Sequence, residues 1–305
     1  MSLRGRDLIS IKDVTKEEML AMFREATSLE TCARSKSDVL KGKVMALLFF
    51  EPSTRTRLSF ETAMKRLGGD VIGFEEPSIT SMAKGESLID TVKVIENYAD
   101  VMVVRHPFEG AAKAIADAVQ IPVINAGSGA LSHPTQALTD LYTIWREKGR
   151  IDGLTVLFLG DLKYSRAVRS LIQGLLNFNV NFILVSPELL RLREEVREEL
   201  REKGASFIEA TSLSQELMKE ADVVYVTRIQ RERFVDPMEY EKVKGSYKLT
   251  IEHLRHARDD LIILHPLPRV DELDREIDET PYAKYFKQVF YGLLVRMALL
   301  KMILT

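Results

Sequence analysis

Residues 44–57 read VMALLFFEPSTRTR, an apolar run that passes into a polar turn and then into the start of a helix. The apolar part, Val44–Phe50, has the length and composition of a strand that is buried on both faces. Apolar residues then recur at helical spacing over Thr56–Leu67, and two glycines follow, which predicts an amphipathic helix. A buried strand followed at once by a helix is typical of a parallel sheet covered by helices.

The alternation of strand and helix extends outward from this segment through the first half of the chain. An opening helix is predicted near Lys16–Ala33. The other predicted strands are Val71–Phe74, Val101–Val104 and Pro122–Ile124, and the other predicted helices lie near Ser87–Tyr98, Ala111–Val119 and Pro134–Lys148. Together these elements predict one doubly wound sheet with helices on both faces.

A second alternation follows the turn-rich segment KGRIDG at 148–153, where we place a domain boundary. Its predicted strands are Thr155–Leu159, Asn181–Val185, Val223–Thr227 and Leu261–Leu264, and its predicted helices lie near Ser165–Asn177, Glu188–Lys203, Leu213–Glu220 and Thr250–His256. A last apolar helix, Ala283–Leu304, is expected to return to the first domain. The predicted class is α/β, with two doubly wound parallel-sheet domains at 1–149 plus 284–305 and at 150–283.

The composition excludes several classes of protein. The 305 residues include 43 Lys or Arg and 45 Asp or Glu, a net charge of −2, which argues against a strongly basic nucleic-acid-binding protein. No apolar stretch approaches the ~20 residues of a membrane-spanning helix, and the first residues lack the apolar core of a secretory signal. The single cysteine, Cys32, cannot form an internal disulfide. We therefore expect a cytoplasmic protein without nucleic-acid or membrane partners.

The helix start after the first strand is a predicted anion site. Unpaired backbone N–H groups and the positive end of the helix dipole converge there. Hydroxyls and guanidiniums add further donors, from Ser53, Thr54, Arg55, Thr56 and Arg57. In the alternative interpretation, Ser53 is only an N-cap and the arginines are solvated. The density of donors after an apolar strand favours a phosphate or a similar oxyanion.

Polar residues follow two further strands of the first half, at the ends where open α/β sheets place their ligands. Arg105 follows the third predicted strand. His133 and Gln136 lie at a helix start after the fourth, beside Pro134, a residue favoured in the first helical turn. A lone histidine in this position is more often a surface cap. Donors at three adjacent strand ends nevertheless indicate one shared oxyanion pocket.

The strand ends of the second half offer more cations and no cofactor motif. Residues 160–166, GDLKYSR, lack the G-x-G-x-x-G spacing of a dinucleotide loop, and a P-loop is missing from the sequence. Arg166 and Arg228, with Gln230 close to the latter in sequence, indicate a second anionic ligand. The five histidines and Cys32 show no metal-ligand spacing, so we predict neither a metal nor a cofactor.

These motifs together resemble the aspartate/ornithine carbamoyltransferase family over nearly the whole chain. Residues 50–56, FEPSTRT, are similar to its carbamoyl phosphate signature, and residues 133–136, HPTQ, to its second shared motif. Four segments resemble the aspartate-specific members: SMAKGE at 81–86, GDLKY at 160–164, TRIQ at 227–230 and HPLPR at 265–269. The resemblance implies transfer of the carbamoyl group of carbamoyl phosphate to the α-amino group of L-aspartate, an early step of pyrimidine biosynthesis.

Charge counting agrees with aspartate as the acceptor. Aspartate brings two carboxylates and one amine, whereas ornithine brings one carboxylate and a second amine. The cations Lys84, Arg166 and Arg228 suit aspartate and would repel the side chain of ornithine. Two alternatives remain: a carbamoyltransferase with another amino-acid acceptor such as ornithine, and a non-catalytic scaffold, which would not need this set of donors.

The resemblance also implies roles for individual residues. Those implied to bind carbamoyl phosphate are Ser53, Thr54, Arg55, Thr56, Arg105, His133, Gln136 and the backbone of Leu267 and Pro268. The implied catalytic residues are Arg55, Thr56, Arg105 and His133, of which the last three would face the carbonyl oxygen. The implied aspartate-binding residues are Lys84, Arg166, Arg228 and Gln230.

In the family, the loop that matches Ser81–Lys84 comes from an adjacent subunit of a trimer. A homotrimer with shared active sites is therefore implied here. Thr80 and Ser81 each fit the hydroxyl position of that loop, and we favour Ser81. Some members also assemble with a separate zinc-bearing regulatory chain that binds nucleotides, and the resemblance leaves such a partner open.

Overall fold

Residues 3–305 are described by a computed structural model. The chain divides into two compact units, one comprising the residues up to Thr139 together with Phe290–Thr305, and the other comprising Asp140–Val289. The division falls inside two helices, so each of these helices begins in one unit and ends in the other. The boundaries expected from the sequence, at 149 and 283, lie close to the ends of the same helices.

The first unit contains a four-stranded sheet in which every strand pairing is parallel. Its strands are β1 (Val44–Phe49), β2 (Asp70–Phe74), β3 (Val101–His106) and β4 (Val123–Ser128), in the order β2-β1-β3-β4. Successive residues of β1 point to opposite faces of the sheet, and Met45, Ala46, Leu47 and Leu48 are all buried. Both faces of this strand are therefore covered, as the continuous apolar run predicts.

One helix of the first unit precedes its strands, and the others follow them. They are α1 (Lys16–Ser28), α2 (Thr54–Arg66), α3 (Leu88–Glu96), α4 (Ala111–Ala118) and α5 (Pro134–Lys148), the last of which continues into the second unit. On one face of the sheet, Leu48 and Val104 belong to a buried cluster that includes Val92 of α3 and Ile115 of α4. Apolar side chains of these helices therefore hold the sheet in place.

The second unit contains a five-stranded sheet, again with parallel pairings throughout. Its strands are β5 (Thr155–Gly160), β6 (Asn181–Val185), β7 (Ser206–Ala210), β8 (Val223–Thr227) and β9 (Ile262–Leu264), in the order β7-β6-β5-β8-β9. Its helices are α6 (Arg166–Leu175), α7 (Glu194–Glu202), α8 (Gln215–Glu220) and α9 (Pro237–Val243), and α10 (Tyr285–Leu304) passes into the first unit. Two parallel sheets with helices confirm the predicted α/β class.

In each sheet, the first strand lies between two later ones. β1 pairs with β2 and β3, and β5 pairs with β6 and β8. The chain therefore winds in opposite directions from the first strand, and ligands of such sheets bind outside the carboxyl ends of the strands at this point. The loops that follow β1 and β3, and those that follow β5 and β8, occupy these two positions.

Several predicted helices are shorter than expected. The opening helix ends at Ser28, and a separate 3-10 turn covers Cys32–Arg34. The helix predicted over 188–203 is interrupted, because Arg191 and Arg193 have extended ψ angles of 152° and 145°. The segment predicted as a helix at Thr250–His256 is a 3-10 helix over Ile251–His256.

One strand and one α-helix of the second unit were not predicted. The edge strand β7 has five residues, several of them exposed, so its sequence carries little apolar alternation. Helix α9 has seven residues, of which only Val243 is buried. Short surface elements give weak periodicity, which explains both omissions. Over residues 3–305, none of the helices combines the length and the apolar character that a membrane span requires.

Candidate active site

The start of α2 has the features of an anion site. Ser53 occupies the N-cap position with extended backbone angles (φ −160°, ψ 96°), but its side chain makes no capping hydrogen bond. The first N–H groups of a helix have no partner within the helix. Thr56 is buried, whereas Thr54 and Arg55 are exposed. The hydroxyl of Ser53 is therefore not used in a capping bond, contrary to the alternative in which it serves only as a cap.

Arg57 is engaged elsewhere. Its guanidinium forms ion pairs with Glu61, one helical turn away, and with Glu75, at 3.3 and 3.1 Å. Both pairs are partly solvated, and such pairs contribute about 0–1 kcal/mol. An anion at this helix start would therefore compete with two carboxylates for Arg57.

Arg105 lies at the end of β3, beside the end of β1. A backbone hydrogen bond from Phe50 N–H to the Arg105 carbonyl, at 2.8 Å, aligns the two strand ends. The guanidinium forms an ion pair with Glu51, with 2.9 Å between Nε and Oε1, and the Arg105 side chain is only 14% exposed. Glu51 thus holds Arg105 at the edge that also carries Ser53. The sequence motif contained Glu51, but nothing in it indicated the partner of this carboxylate.

His133 lies immediately before α5 and is buried. Its carbonyl accepts the N–H groups of Gln136 and Ala137, and its Nδ1 lies 3.5 Å from Thr135 Oγ1. The preceding turn is organised by Asn125, whose Oδ1 accepts the N–H of Gly127 at 2.8 Å. Sequence reasoning did not identify Asn125, although an asparagine within an apolar strand is a usable signal because buried amides need partners.

The carboxyl edge of the first sheet therefore carries most of the residues expected to bind carbamoyl phosphate. Because β1, β3 and β4 are adjacent and parallel, the segments that leave them emerge at one edge. Residues at this edge are Ser53, Thr54, Arg55, Thr56, Arg105, His133 and Gln136. The predicted oxyanion donors thus lie at the carboxyl edge of the first sheet, which is the edge where ligands of such sheets bind.

Lys84 ends a 3-10 helix, Ser81–Lys84, in the segment between β2 and α3. The hydroxyl of Thr80 caps this helix by accepting the N–H of Met82 at 3.2 Å. Ser81 and Lys84 are both exposed. With Thr80 used as a cap, Ser81 is the better candidate for a hydroxyl that reaches a ligand.

In the second unit, the loops after β5 and β8 are joined by a buried carboxylate. Asp161 is fully buried, and its two oxygens accept the N–H groups of Tyr164 and Gln230, at 2.9 and 3.2 Å. Burial raises the pKa of Asp161 to about 6. Tyr247 supports the same region, because its hydroxyl donates to the Thr227 carbonyl at 2.6 Å. Asp161 fell within a recognised motif, but its role in holding Gln230 was not predicted.

The two arginines expected to bind aspartate occupy the ends of α6 and β8. Arg166 is the first residue of α6 and is buried, and the Ser165 hydroxyl caps this helix. Arg228 follows β8, and its guanidinium is paired at two points with Glu232. The hydrogen bond to Glu232 raises the pKa of Arg228. Glu232 was not predicted, although its spacing of four residues from Arg228 was visible in the sequence.

The turn after β9 has an unusual backbone. Leu267 has a positive φ of 55°, and the Leu267–Pro268 peptide bond is cis. A non-glycine residue in this left-handed region costs about 1–3 kcal/mol and persists only where its surroundings enforce it. The Leu267 N–H donates to His265 Nδ1 at 2.8 Å, and His265 Nε2 lies 2.6 Å from Glu272 Oε1.

The directions in which the pKa values of His265 and Glu272 are shifted indicate where the protons lie in this turn. Burial lowers the pKa of His265, so its ring is neutral. Burial alone would raise the pKa of Glu272, but hydrogen bonds from His265 and from backbone N–H groups lower it overall, so Glu272 is ionised. Because Nδ1 accepts from Leu267, the single ring proton resides on Nε2 and is donated to Glu272.

Arg269, the next residue of this turn, donates two hydrogen bonds to Asp278. Within the described part of the chain, no cluster of three or more His, Cys, Asp or Glu side chains is placed to hold a metal ion.

Comparison with known proteins identifies the family. Residues 6–146 match the carbamoyl-P binding domain model of the aspartate/ornithine carbamoyltransferases, and residues 152–303 match the Asp/Orn binding domain model. The chain is 54% identical to the aspartate carbamoyltransferase catalytic subunit of Pyrobaculum islandicum, over 99% of each chain.

Solved structures give the same result. The catalytic subunit of M. jannaschii aspartate transcarbamoylase is similar with a TM-score of 0.88 and 55% identity, over 97% of each chain. The aspartate transcarbamoylase of Trypanosoma cruzi, in complex with carbamoyl phosphate and aspartate, is similar with a TM-score of 0.93 and 37% identity, over 99% of this chain and 98% of that one. The family models, the curated relative and the solved structures agree, and the chain belongs to the aspartate/ornithine carbamoyltransferase family.

Proposed function

We propose that this chain transfers the carbamoyl group of carbamoyl phosphate to the α-amino group of L-aspartate, giving N-carbamoyl-L-aspartate and phosphate. The observation that carries the proposal is the start of α2, where the Ser53 hydroxyl makes no capping bond beside the unpaired N–H groups of a helix. A doubly charged phosphate suits such a site, since the helix dipole and the N–H groups both stabilise an anion there. The reaction is a step of de novo pyrimidine biosynthesis.

The phosphate end of the substrate binds at this helix start. Ser53, Thr54 and Thr56 donate hydroxyl hydrogen bonds, and the Arg55 guanidinium pairs with the phosphate oxygens. Arg105, which Glu51 holds at the neighbouring strand end, completes the set. A guanidinium matches two phosphate oxygens at once, so it orients the group as well as neutralising it.

The carbonyl oxygen of carbamoyl phosphate faces Thr56, Arg105 and His133. Negative charge builds on this oxygen during attack, and donors already in place stabilise it without reorganisation. One donor of this kind is worth about 2.7–4 kcal/mol in the transition state. Gln136 and the backbone of Leu267 and Pro268 take the carbamoyl amino end.

Aspartate binds through its two carboxylates, which pair with Arg166, Arg228 and Lys84. Gln230 assists, at a position that Asp161 fixes through the backbone. The α-amino nitrogen forms a bond to the carbonyl carbon, and the bond from that carbon to the phosphate oxygen breaks with its electron pair on phosphate. The amine proton passes to the departing phosphate, so no side chain has to act as a strong base. Catalysis is mainly positioning and charge stabilisation.

The assembly proposed is a homotrimer in the cytoplasm with shared active sites. Support comes from the exposed Ser81–Lys84 turn, whose lysine has the charge that aspartate needs. A separate regulatory chain that carries zinc is a further candidate partner, which the family resemblance leaves open.

The test is turnover of the purified chain with carbamoyl phosphate and a panel of acceptors that includes L-aspartate and L-ornithine. We expect carbamoyl aspartate and no carbamoylated ornithine. Arg55→Ala should abolish turnover with the fold intact, whereas Arg66→Ala, in the last turn of the same helix, should not. Full activity of a folded Arg55→Ala variant would contradict the phosphate site.

A second pair of variants tests the proposed aspartate-binding residues. Arg228→Gln should raise the KM for aspartate strongly, because an unpaired buried carboxylate costs about 3–5 kcal/mol, while carbamoyl phosphate affinity changes little. Arg255→Gln removes an exposed arginine that pairs with Glu252 and should change neither constant. Loss of carbamoyl phosphate binding with unchanged aspartate dependence would contradict the assignment of Arg228.

A further inference from the structure

Tyr247 places one hydroxyl between two loops of the second unit. Its side chain packs against the apolar core of that unit, and its hydroxyl donates a hydrogen bond to the Thr227 carbonyl at 2.6 Å. The same oxygen accepts a backbone hydrogen bond from Asp161. Thr227 ends β8, and Asp161 follows β5, the neighbouring strand. A single hydroxyl therefore joins the two strand ends at which the loops expected to bind aspartate begin.

The backbone at Gly160 shows how closely these groups approach. A Cβ added to Gly160 would lie 2.2 Å from the Thr227 carbonyl oxygen and 2.5 Å from the Tyr247 hydroxyl. Both ends of the hydrogen bond thus lie against a backbone that leaves no space for a side chain. Burial raises the pKa of Tyr247 well above its ordinary value, so the hydroxyl stays protonated and remains a donor at neutral and mildly alkaline pH.

The Thr227 carbonyl belongs to the same peptide group as the Arg228 N–H. A peptide group is planar and rotates as one unit. A hydrogen bond to its carbonyl oxygen therefore restrains the direction in which the Arg228 side chain leaves the backbone. At the other end of this side chain, Glu232 accepts two hydrogen bonds from the guanidinium. Tyr247 thus restrains the base of the Arg228 side chain, and Glu232 restrains its tip.

We propose that Tyr247 is a positioning residue for the acceptor site, which it serves by fixing the Thr227–Arg228 peptide so that the Arg228 guanidinium meets a carboxylate of aspartate. This inference rests on the proposed function, and it adds a residue that touches no substrate. A guanidinium binds a carboxylate best through two parallel hydrogen bonds, a geometry that requires alignment. Loss of the Tyr247 hydroxyl frees the peptide to rotate, and a small rotation at the base of a long side chain is enlarged at its tip.

The first experiment compares Tyr247→Phe with Tyr225→Phe in the full chain. Tyr225 lies on the same strand as Thr227, and its buried hydroxyl donates to Asp140 Oδ2 at 2.8 Å, so it provides a matched loss of one tyrosyl hydroxyl. Tyr247→Phe should raise the KM for aspartate about tenfold, the effect of one lost hydrogen bond. The kcat should change less, because the carboxylate is bound in both the ground state and the transition state.

Tyr225→Phe should lower the unfolding midpoint and keep the wild-type KM for aspartate. Neither variant should change the affinity for carbamoyl phosphate. An unchanged KM in Tyr247→Phe, or an equal rise of the KM in both variants, would overturn the proposal.

A double-mutant cycle distinguishes positioning of Arg228 from a general loosening of the second unit. In an Arg228→Gln background, Tyr247→Phe should change the KM for aspartate by less than about twofold, because no guanidinium remains to be positioned. A role that does not act through Arg228 predicts the full tenfold rise in this background as well. That result would refute the proposal.

Replacement of Tyr247 by 4-aminophenylalanine restores a donor at the same position. Its amine can donate to the Thr227 carbonyl, so the KM for aspartate should return close to the wild-type value. This variant also provides the test if Tyr247→Phe does not fold. A folded chain that carries the amine and still has a tenfold higher KM would contradict the proposal.

Failure of the proposed function is a separate result, because the wild type would then form no carbamoyl aspartate. Backbone amide exchange still tests Tyr247 in that case. Tyr247→Phe should speed exchange of the Gln230 N–H, which Asp161 accepts in the wild type, and Tyr225→Phe should not. An exchange rate that Tyr247→Phe leaves unchanged would show that the hydroxyl does not hold this loop, and the proposal would be wrong.

Discussion

Asp161, at the end of β5, accepts the backbone N–H of Gln230, which follows β8, with 3.2 Å between Oδ2 and N. The same carboxylate accepts the N–H of Tyr164 through its other oxygen. One buried group therefore joins two loops of the second unit at the reversal of its winding. Both bonds are stronger when Asp161 is ionised, yet burial disfavours that form, and this conflict has a measurable consequence.

Asp161 should make the stability of the protein depend on pH. Burial raises the pKa of Asp161 to about 6, so the folded state binds its proton more tightly than the unfolded state, whose value is about 4. The free energy of unfolding that this group contributes is fully present below pH ~4 and is lost as the pH rises through about 6, a change of up to about 3 kcal/mol. Urea unfolding of the wild type and of Asp161→Asn between pH 4 and 7 measures it.

The difference in unfolding free energy between wild type and Asp161→Asn should fall across that interval. Asp222→Asn controls for the loss of a buried carboxylate, since Asp222 accepts the N–H of Thr155 at the opposite end of β5. A difference that stays constant from pH 4 to 7 would contradict the raised pKa of Asp161.

Gly160→Ala should destabilise the second unit. Gly160 has a φ of 124°, and an added Cβ would lie 2.2 Å from the Thr227 carbonyl oxygen and 2.5 Å from the Tyr247 hydroxyl. Backbone strain and overpacking together should cost about 2–5 kcal/mol. Gly204→Ala is the control, because Gly204 also has a positive φ, of 64°, but has open space around it. Thermal unfolding of both variants should show the larger loss for Gly160→Ala, and similar losses would be inconsistent with the close approach.

His133→Ala should lower turnover by about 10²–10³, the range for removing one donor to a developing oxyanion. This expectation follows from the proposed role of His133, which is to polarise the carbonyl without removing the amine proton. Steady-state kinetics should also show weaker binding of carbamoyl phosphate, with a pH profile of the same shape as that of the wild type. Complete loss of activity with a shifted profile would instead indicate that His133 transfers a proton.

Lys84 should complete the active site of a neighbouring chain in a trimer. Arg55→Ala and Lys84→Gln are each expected to be inactive alone. Mixing them under conditions of subunit exchange should restore about one quarter of the wild-type activity, because about one site in four then combines an intact Arg55 with an intact Lys84. Native mass measurement verifies that mixed trimers form. If mixed trimers form and remain inactive, Lys84 acts within its own chain.

The fold class was readable from the sequence because its signal is local. The run Val44–Phe49 is apolar on both faces, which only a covered parallel sheet can bury, and the helix that follows it repeats at the period of a helix. The interruption at Arg191 and Arg193 was not readable, since those residues are compatible with a helix and only their surroundings prevent it. The edge strand β7 was missed because its exposed residues carry no alternation.

The same distinction, between local sequence signals and features set by tertiary surroundings, applies to the candidate site. By itself, the sequence determined the residue types that we predict to bind an anion: the hydroxyls and guanidinium at Ser53–Thr56, and Arg105 and Arg228 after their strands. These are visible because a strand end and a helix start are defined by neighbours in sequence.

Only the tertiary structure decided which groups hold those residues. Glu51 pairs with Arg105, Asp161 with the backbone of Gln230, and His265 with both Leu267 and Glu272. The first two pairs lie more than 50 residues apart in sequence. All of these bonds form because burial removes water and leaves each polar group only its neighbour in space. That requirement follows from packing, so the order of residues along the chain cannot reveal it.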